Sequence, residues 1–264
     1  MSPPPAPRVL LLDGATLAPV WETTLDELSS GHWCAADCDA GHGFQKMISH
    51  VPGVALSPDG ARLYIVHADD DRLTTVDLAR RSVRTVDMAA EMAWFERLLA
   101  LTAGVAHAKG PMDSLSRHVA LSPDGVRLYA GGYDMLMGED GAGEWSVTET
   151  MQPLRIIDTA TGRILAESDT PSHALQLTAD GRYLLALDLS GYVPDTTVLD
   201  AETLAVVTRV EGHHVVTATS TDGATRFVAQ SIRHHRTGFT LFDPQIFAPV
   251  AEWSADGPAW LAAE

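Results

Sequence analysis

A chain of 264 residues, 45% hydrophobic and 20% charged, can bury a sizeable core and is neither disordered nor fibrous. A formal net charge of −17 repels phosphates, which argues against nucleic acid or an anionic membrane surface as the partner and favours solubility and cation binding. No segment approaches the roughly 20 apolar residues of a spanning helix. The opening Met1-Ser-Pro-Pro-Pro-Ala-Pro7 reads as a flexible arm over 1–7 without signal-peptide regions, and localisation stays open between cytoplasm and export.

In chain order, short β-rich runs at 8–12 and 19–25 flank a turn opened by Leu12-Asp13. A long connection over 26–50 follows and carries His32-Trp-Cys34-Ala-Ala-Asp-Cys38-Asp-Ala-Gly-His42. Then a repeat begins. Val54-Ala-Leu-Ser-Pro-Asp-Gly60 with Arg62-Leu-Tyr-Ile-Val66 returns as Val119-Ala-Leu-Ser-Pro-Asp-Gly125 with Arg127-Leu-Tyr-Ala130. Looser copies run from Leu175 to Gly181 and from Thr217 to Gly223, each followed by its own apolar run. Asp-Gly between two β-rich runs is a strong hairpin signal, because glycine accepts the positive φ that the turn needs.

A second motif follows each copy: an apolar run ending in Asp, a polar turn, another apolar run. It ends at Asp77, Asp158, Asp200 and Asp243, with Asp13 as an extra copy. Four short strands in fixed order, repeated, predict an all-β β-propeller of four-stranded blades in a single domain over 1–264. About five blades are represented. Joining the ends, with a last candidate strand over 258–262, would make a fifth blade that lacks one strand, so the ring is incomplete on paper. Either the chain is shortened and lacks an upstream segment, or a partner or self-association completes the ring, since unpaired edges invite aggregation.

The pattern from Val54 to Trp253 resembles the YVTN-type bacterial β-propeller repeat proteins and, more distantly, the lactonase-like and amine-dehydrogenase heavy-chain propellers. The resemblance implies the fold and makes enzyme chemistry plausible, but none of those families' catalytic residues can be matched here one by one. The Gly-His and Trp-Asp pairs of WD40 blades are absent from the repeat positions.

Naming the strands of a blade a to d, the a–b and c–d turns are all short. Every long connection belongs to the opposite face: 26–50, 89–117 and 134–151. The second should hold a helix, because Phe95, Leu98, Leu99 and Thr102 follow helical spacing before Gly104. The third should form a hairpin around Glu139-Asp-Gly-Ala-Gly143. Loops far above the median of about 4–6 residues tend to carry function.

All eleven histidines map to that face. His50, His118, His173 and His214 precede strand a of successive blades, His67, His234 and His235 lie in b–c loops, and imidazoles converging on a channel mouth could ligate a transition metal. Alternatively they are hydrogen-bonded lining groups. His32, Cys34, Cys38 and His42 form a second candidate site for zinc or copper. The two cysteines could instead form a disulfide or remain free thiols. Acids at Asp69, Asp70, Asp71, Asp134 and Asp188 lie near the b–c loops as turn formers or as carboxylates for chemistry.

Three functions follow. One is a binding module that captures a protein or small-molecule ligand without turnover. Another is a metal-dependent enzyme, lactonase-like hydrolase or oxidoreductase, at the channel mouth. The third is a copper-handling or electron-transfer protein using the His/Cys loop. No nucleophile elbow, phosphate loop or dinucleotide fingerprint appears in a convincing context.

Overall fold

The computed structural model describes residues 6–34, 47–90, 112–139, 145–191, 194–219, 225–233, 236–243 and 247–256. Among them every regular element is a strand, and none is a helix long and apolar enough to cross a membrane. The strands form successive antiparallel meanders, the blades of a β-propeller. A two-stranded hairpin, β1 (Arg8–Leu12) and β2 (Pro19–Thr24), comes first. Blade I holds β5 (Gly53–Leu56), β6 (Arg62–Val66), β7 (Arg72–Asp77) and β8 (Ser82–Asp87). Blade III holds β14 (Ala174–Leu177), β15 (Tyr183–Asp188), β16 (Asp195–Asp200) and β17 (Val206–Glu211). Blade IV holds β18 (His213–Thr219), β19 (Thr225–Arg233), β20 (Arg236–Phe242) and β21 (Pro249–Asp256).

Blade II departs from the pattern. Its inner strands are long: β10 (Met112–Leu121), β11 (Arg127–Glu139) and β12 (Trp145–Asp158), with β13 (Arg163–Ser168) outside. Beyond the blade proper they continue as a raised ladder. Onto it pairs β4 (Met47–Val51), parallel to β10, and β3 (Gly31–Cys34) pairs antiparallel to β4. At the other edge the short β9 (Ala89–Ala90) lies parallel to β13. The sheet reads β3-β4-β10-β11-β12-β13-β9.

The turns explain the repeat. In blade I, Ser57 Oγ donates to Asp59 Oδ1 at 2.5 Å, Ala61 N–H donates to the same carboxylate, and Arg62 N–H donates to Ser57 Oγ. Blade II repeats this with Ser122, Asp124, Val126 and Arg127, and blade III with Thr178, Asp180, Arg182 and Tyr183. The second motif is as regular. Asp13, Asp77, Asp158 and Asp200 each accept backbone N–H bonds from the turn that follows. Four residues after each Asp, and after Asp243, the backbone turns left-handed: Leu17, Arg81, Gly162, Leu204 and Phe247 have φ of 56°, 56°, 77°, 58° and 50°.

The core lies in the seams between blades. Strand b of blades I, II and III is buried on both faces, so alternate residues fill different seams. Tyr64, Val66 and Leu73 of blade I meet Leu128, Ala130 and Ile157 of blade II. Tyr129, Leu154 and Ile156 meet Leu184, Ala186 and Leu199 of blade III. Tyr183, Leu185 and Val198 meet Phe242 and Phe247 of blade IV. Leu25 and Leu28, after the first hairpin, pack on Ile65 and Val76.

The hairpin expected within 134–151 is present, with Glu139 opposite Trp145. The helix expected around 95–102 and the closing strand at 258–262 lie outside the described residues. The end of that second connection corrects the sequence reading. Residues 112–117 are strand, an extension of strand a, because they pair with β4 on one side and β11 on the other.

Candidate functional site

Period-two alternation along the raised ladder sorts its side chains onto two faces. Ser116, His118 and Tyr133 share one face, since Ser116 stands opposite Tyr133 and its Oγ lies 3.3 Å from His118 Nε2. Arg117 and Asp134 share the other and form an ion pair at 2.8 Å. Gln152 Nε2 donates to the second oxygen of Asp134 at 2.7 Å. His50 stands beside Leu115 in the parallel β4 and therefore joins the Arg117 face.

The Tyr133 face looks towards blade III. Tyr133 lies between two imidazoles, its ring centroid 6.1 Å from His118 and 5.0 Å from His173. His173, just before β14, is nearly buried. Its Nδ1 accepts the N–H of Leu189 at 3.0 Å, which leaves Nε2 to carry the proton and donate to Glu149 Oε1 at 3.0 Å. Asp188 stands 3.6 Å from Nδ1. Burial pushes the His118 pKa below its ordinary value, and His173 and Arg117 add to the effect.

The Arg117 face looks towards blade I. There His67, the residue after β6, is fully buried. Its Nε2 lies 2.8 Å from Thr74 Oγ1, which lies 2.9 Å from Thr85 Oγ1. Its Nδ1 faces Asp70 Oδ1 at 3.3 Å without hydrogen-bond geometry. Asp70 also holds Arg72, and Arg155 bridges Asp71 at 2.6 Å and Glu167 at 2.8 Å. His50 Nδ1 points at Asp69 Oδ2 from 3.9 Å, and its ring meets Trp33 edge-on at 4.7 Å. Burial lowers the pKa of both His50 and His67, against the pull of Asp69 and Asp70 respectively, and so favours neutral imidazoles. A cavity of about 20 Å³, room for a single water-sized occupant, opens between His67, Asp70, Arg117, Gln152 and Arg155.

The histidines expected to meet at one mouth thus form two groups. His118 and His173 meet through Tyr133, while His50 sits with His67 on the opposite face of the ladder. His214 lies in β18, with only its backbone described, and His234 and His235 fall outside the described residues. His32 is exposed on β3, and Cys34 ends that strand. Cys38 and His42 are not among the described residues. Sequence reasoning missed Tyr133, Glu149, Arg117 and Gln152. Their only signal was position in or beside a long connection, Arg117 at the end of 89–117 and the other three in or next to 134–151.

No family model matches the chain, and no curated protein matches it. Among solved structures it is similar to hydrazine synthase of Kuenenia stuttgartiensis, at 16% identity over 90% of this chain and 57% of that one, with a TM-score of 0.47. It is also similar to the dihydro-heme d1 dehydrogenase NirN, at 18% identity, 95% and 52% coverage and a TM-score of 0.40. Periplasmic gluconolactonase PpgL of Pseudomonas aeruginosa gives 20% identity, 79% and 55% coverage and a TM-score of 0.39. The chain spans little more than half of each. At such identities activity does not transfer, and the architecture in hand defines the chain as a β-propeller repeat protein.

Proposed function

We propose that the protein is a binding module that captures a small polar ligand on the Tyr133 face of the raised ladder, between blades II and III. The observation that supports this is the setting of Tyr133, an aromatic plane flanked by His118 and His173 with Glu149 and Asp188 alongside. An aromatic surface with a few fixed acceptors is the usual composition of a ligand site on a rigid scaffold. Two carboxylates there favour a ligand that donates hydrogen bonds, an amine or a hydroxylated molecule.

The test is calorimetric titration of the full chain with simple sugars, polyols and primary amines, beside Tyr133→Ala and Glu149→Gln. Binding of one of these classes, weakened at least tenfold in both variants, would carry the reading. Binding that neither variant changes, or no binding across the panel, would overturn it.

A further inference from the structure

We propose that the loop after β6 is a divalent metal site, in which His67 Nδ1, Asp69 and Asp70 hold a first-row cation such as Mn²⁺ or Zn²⁺. One ligand atom from each of the three lies within 4.8 Å of the others. Carboxylates clustered in a turn are ordinary. What sets this cluster apart is His67, whose side chain is wholly buried and whose Nδ1 has no hydrogen-bond partner. Asp70 Oδ1, which faces it, is equally buried and unpartnered.

The ring orientation of His67 turns Nε2 to Thr74 and Nδ1 to the carboxylates. Thr74 Oγ1, 2.8 Å from Nε2, can accept from Nε2–H while its own hydroxyl turns to Thr85 Oγ1 at 2.9 Å; in that tautomer, the one a bound metal selects, Nδ1 presents its lone pair to the carboxylate oxygen. In that tautomer two lone pairs 3.3 Å apart and out of water repel each other, and both atoms are left unsatisfied. A cation between them removes both penalties. The spacing suits it, since ligands at about 2.0–2.2 Å from a metal stand roughly 3–3.5 Å from each other. Orientation of a ligating imidazole by a hydrogen bond from its other nitrogen is the normal outer-shell arrangement.

Imidazole and two carboxylates suit borderline and hard divalent ions better than soft ones. Three protein ligands leave further positions open, and the small cavity beside His67 and Asp70 has room for one bound water. The neighbouring arginines are already matched, Arg72 by Asp70 and Glu27, Arg155 by Asp71 and Glu167, Arg117 by Asp134. His50 Nδ1 lies 3.9 Å from Asp69 Oδ2, beyond hydrogen-bond distance. The site lies across the ladder from Tyr133 and does not depend on ligand capture there.

The experiment is titration of the full chain with Mn²⁺, followed by the electron-paramagnetic-resonance signal of the free ion and repeated by competition with Zn²⁺. Cys34→Ser and Cys38→Ser are present throughout, so that thiolates contribute nothing. We expect one ion per chain, with affinity at least tenfold weaker in Asp69→Asn. That side chain is partly exposed, so its replacement should leave the melting temperature of the metal-free protein unchanged. His67→Gln should behave likewise where it folds. Stoichiometric binding that Asp69→Asn leaves intact would overturn the site, as would no uptake of either ion at millimolar concentration.

Discussion

Tyr133 and His173 belong to different blades, yet their rings stand 5.0 Å apart. His173 is 9% exposed, and both of its nitrogens are hydrogen-bonded. It joins blade III to the raised ladder of blade II through Glu149 as well as through Tyr133. His173→Ala leaves the Leu189 N–H without its acceptor and Glu149 without its donor. Such a loss costs about 1–3 kcal/mol. Chemical denaturation should show a lower midpoint with an unchanged slope.

The left-handed residue of each c–d turn offers a cleaner test of local strain. Arg81 is exposed and has φ of 56°, a conformation that costs a side-chain-bearing residue about 1 kcal/mol or more. Arg81→Gly should raise stability by roughly 0.5–1 kcal/mol. At the equivalent place in blade II, a Cβ on Gly162 would stand 2.6 Å from Val86 Cγ2, so Gly162→Ala should lower it. Thermal melts of the two variants should move in opposite directions.

Gly132 marks where the ladder leaves the blade. Its φ is 148°, the β11–β12 register shifts beside it, and an added Cβ would meet Ser116 O at 2.0 Å. The obstacle is backbone and cannot rotate away. Gly132→Ala should destabilise by more than about 2 kcal/mol. It should also abolish ligand capture at Tyr133, the adjoining residue, which calorimetry would detect.

Protonation supplies the fourth prediction. His118 has its pKa lowered from 6.5, first by burial and then by His173 and Arg117. As pH falls through about 6.5 the unfolded chain takes up this proton while the folded protein resists it. The unfolded state then binds more protons, so stability drops as pH falls from there towards the folded pKa, and is indifferent above. His118→Gln should flatten the fall in urea midpoint between about pH 7 and 5. His50 and His67 are shifted in the same sense, so some slope should remain.

The blades were legible because their turns are local. Ser57, Asp59 and Arg62 close a hairpin with hydrogen bonds spanning five residues, and that spacing is written in the chain four times, twice as Ser-Pro-Asp-Gly and twice more loosely. The ladder was not, because its decisive partners are remote. Met47 pairs with Met112, and nothing in either segment announces a parallel neighbour so far away. Polar residues on both faces of Asp113 to His118 also hide its strand period. His67 was legible as a b–c loop residue but not as a buried one. The aspartates after it read equally well as turn formers, and only the contact with Thr74, seven residues on, shows which nitrogen faces them.

The ladder rises without interruption from the core of blade II, and that sets a parity rule for how this face can change. Arg117 and His118 are adjacent, yet one looks to blade I and the other to blade III. A single residue inserted into β10 between the core and the ladder would exchange the two faces and send each set of side chains to the wrong neighbour. Pairs added beyond Glu139 and Trp145 are free of this constraint. Growth at the tip by one residue on each strand keeps every side chain on its own face, so the projection can lengthen while the chemistry at its base stays fixed.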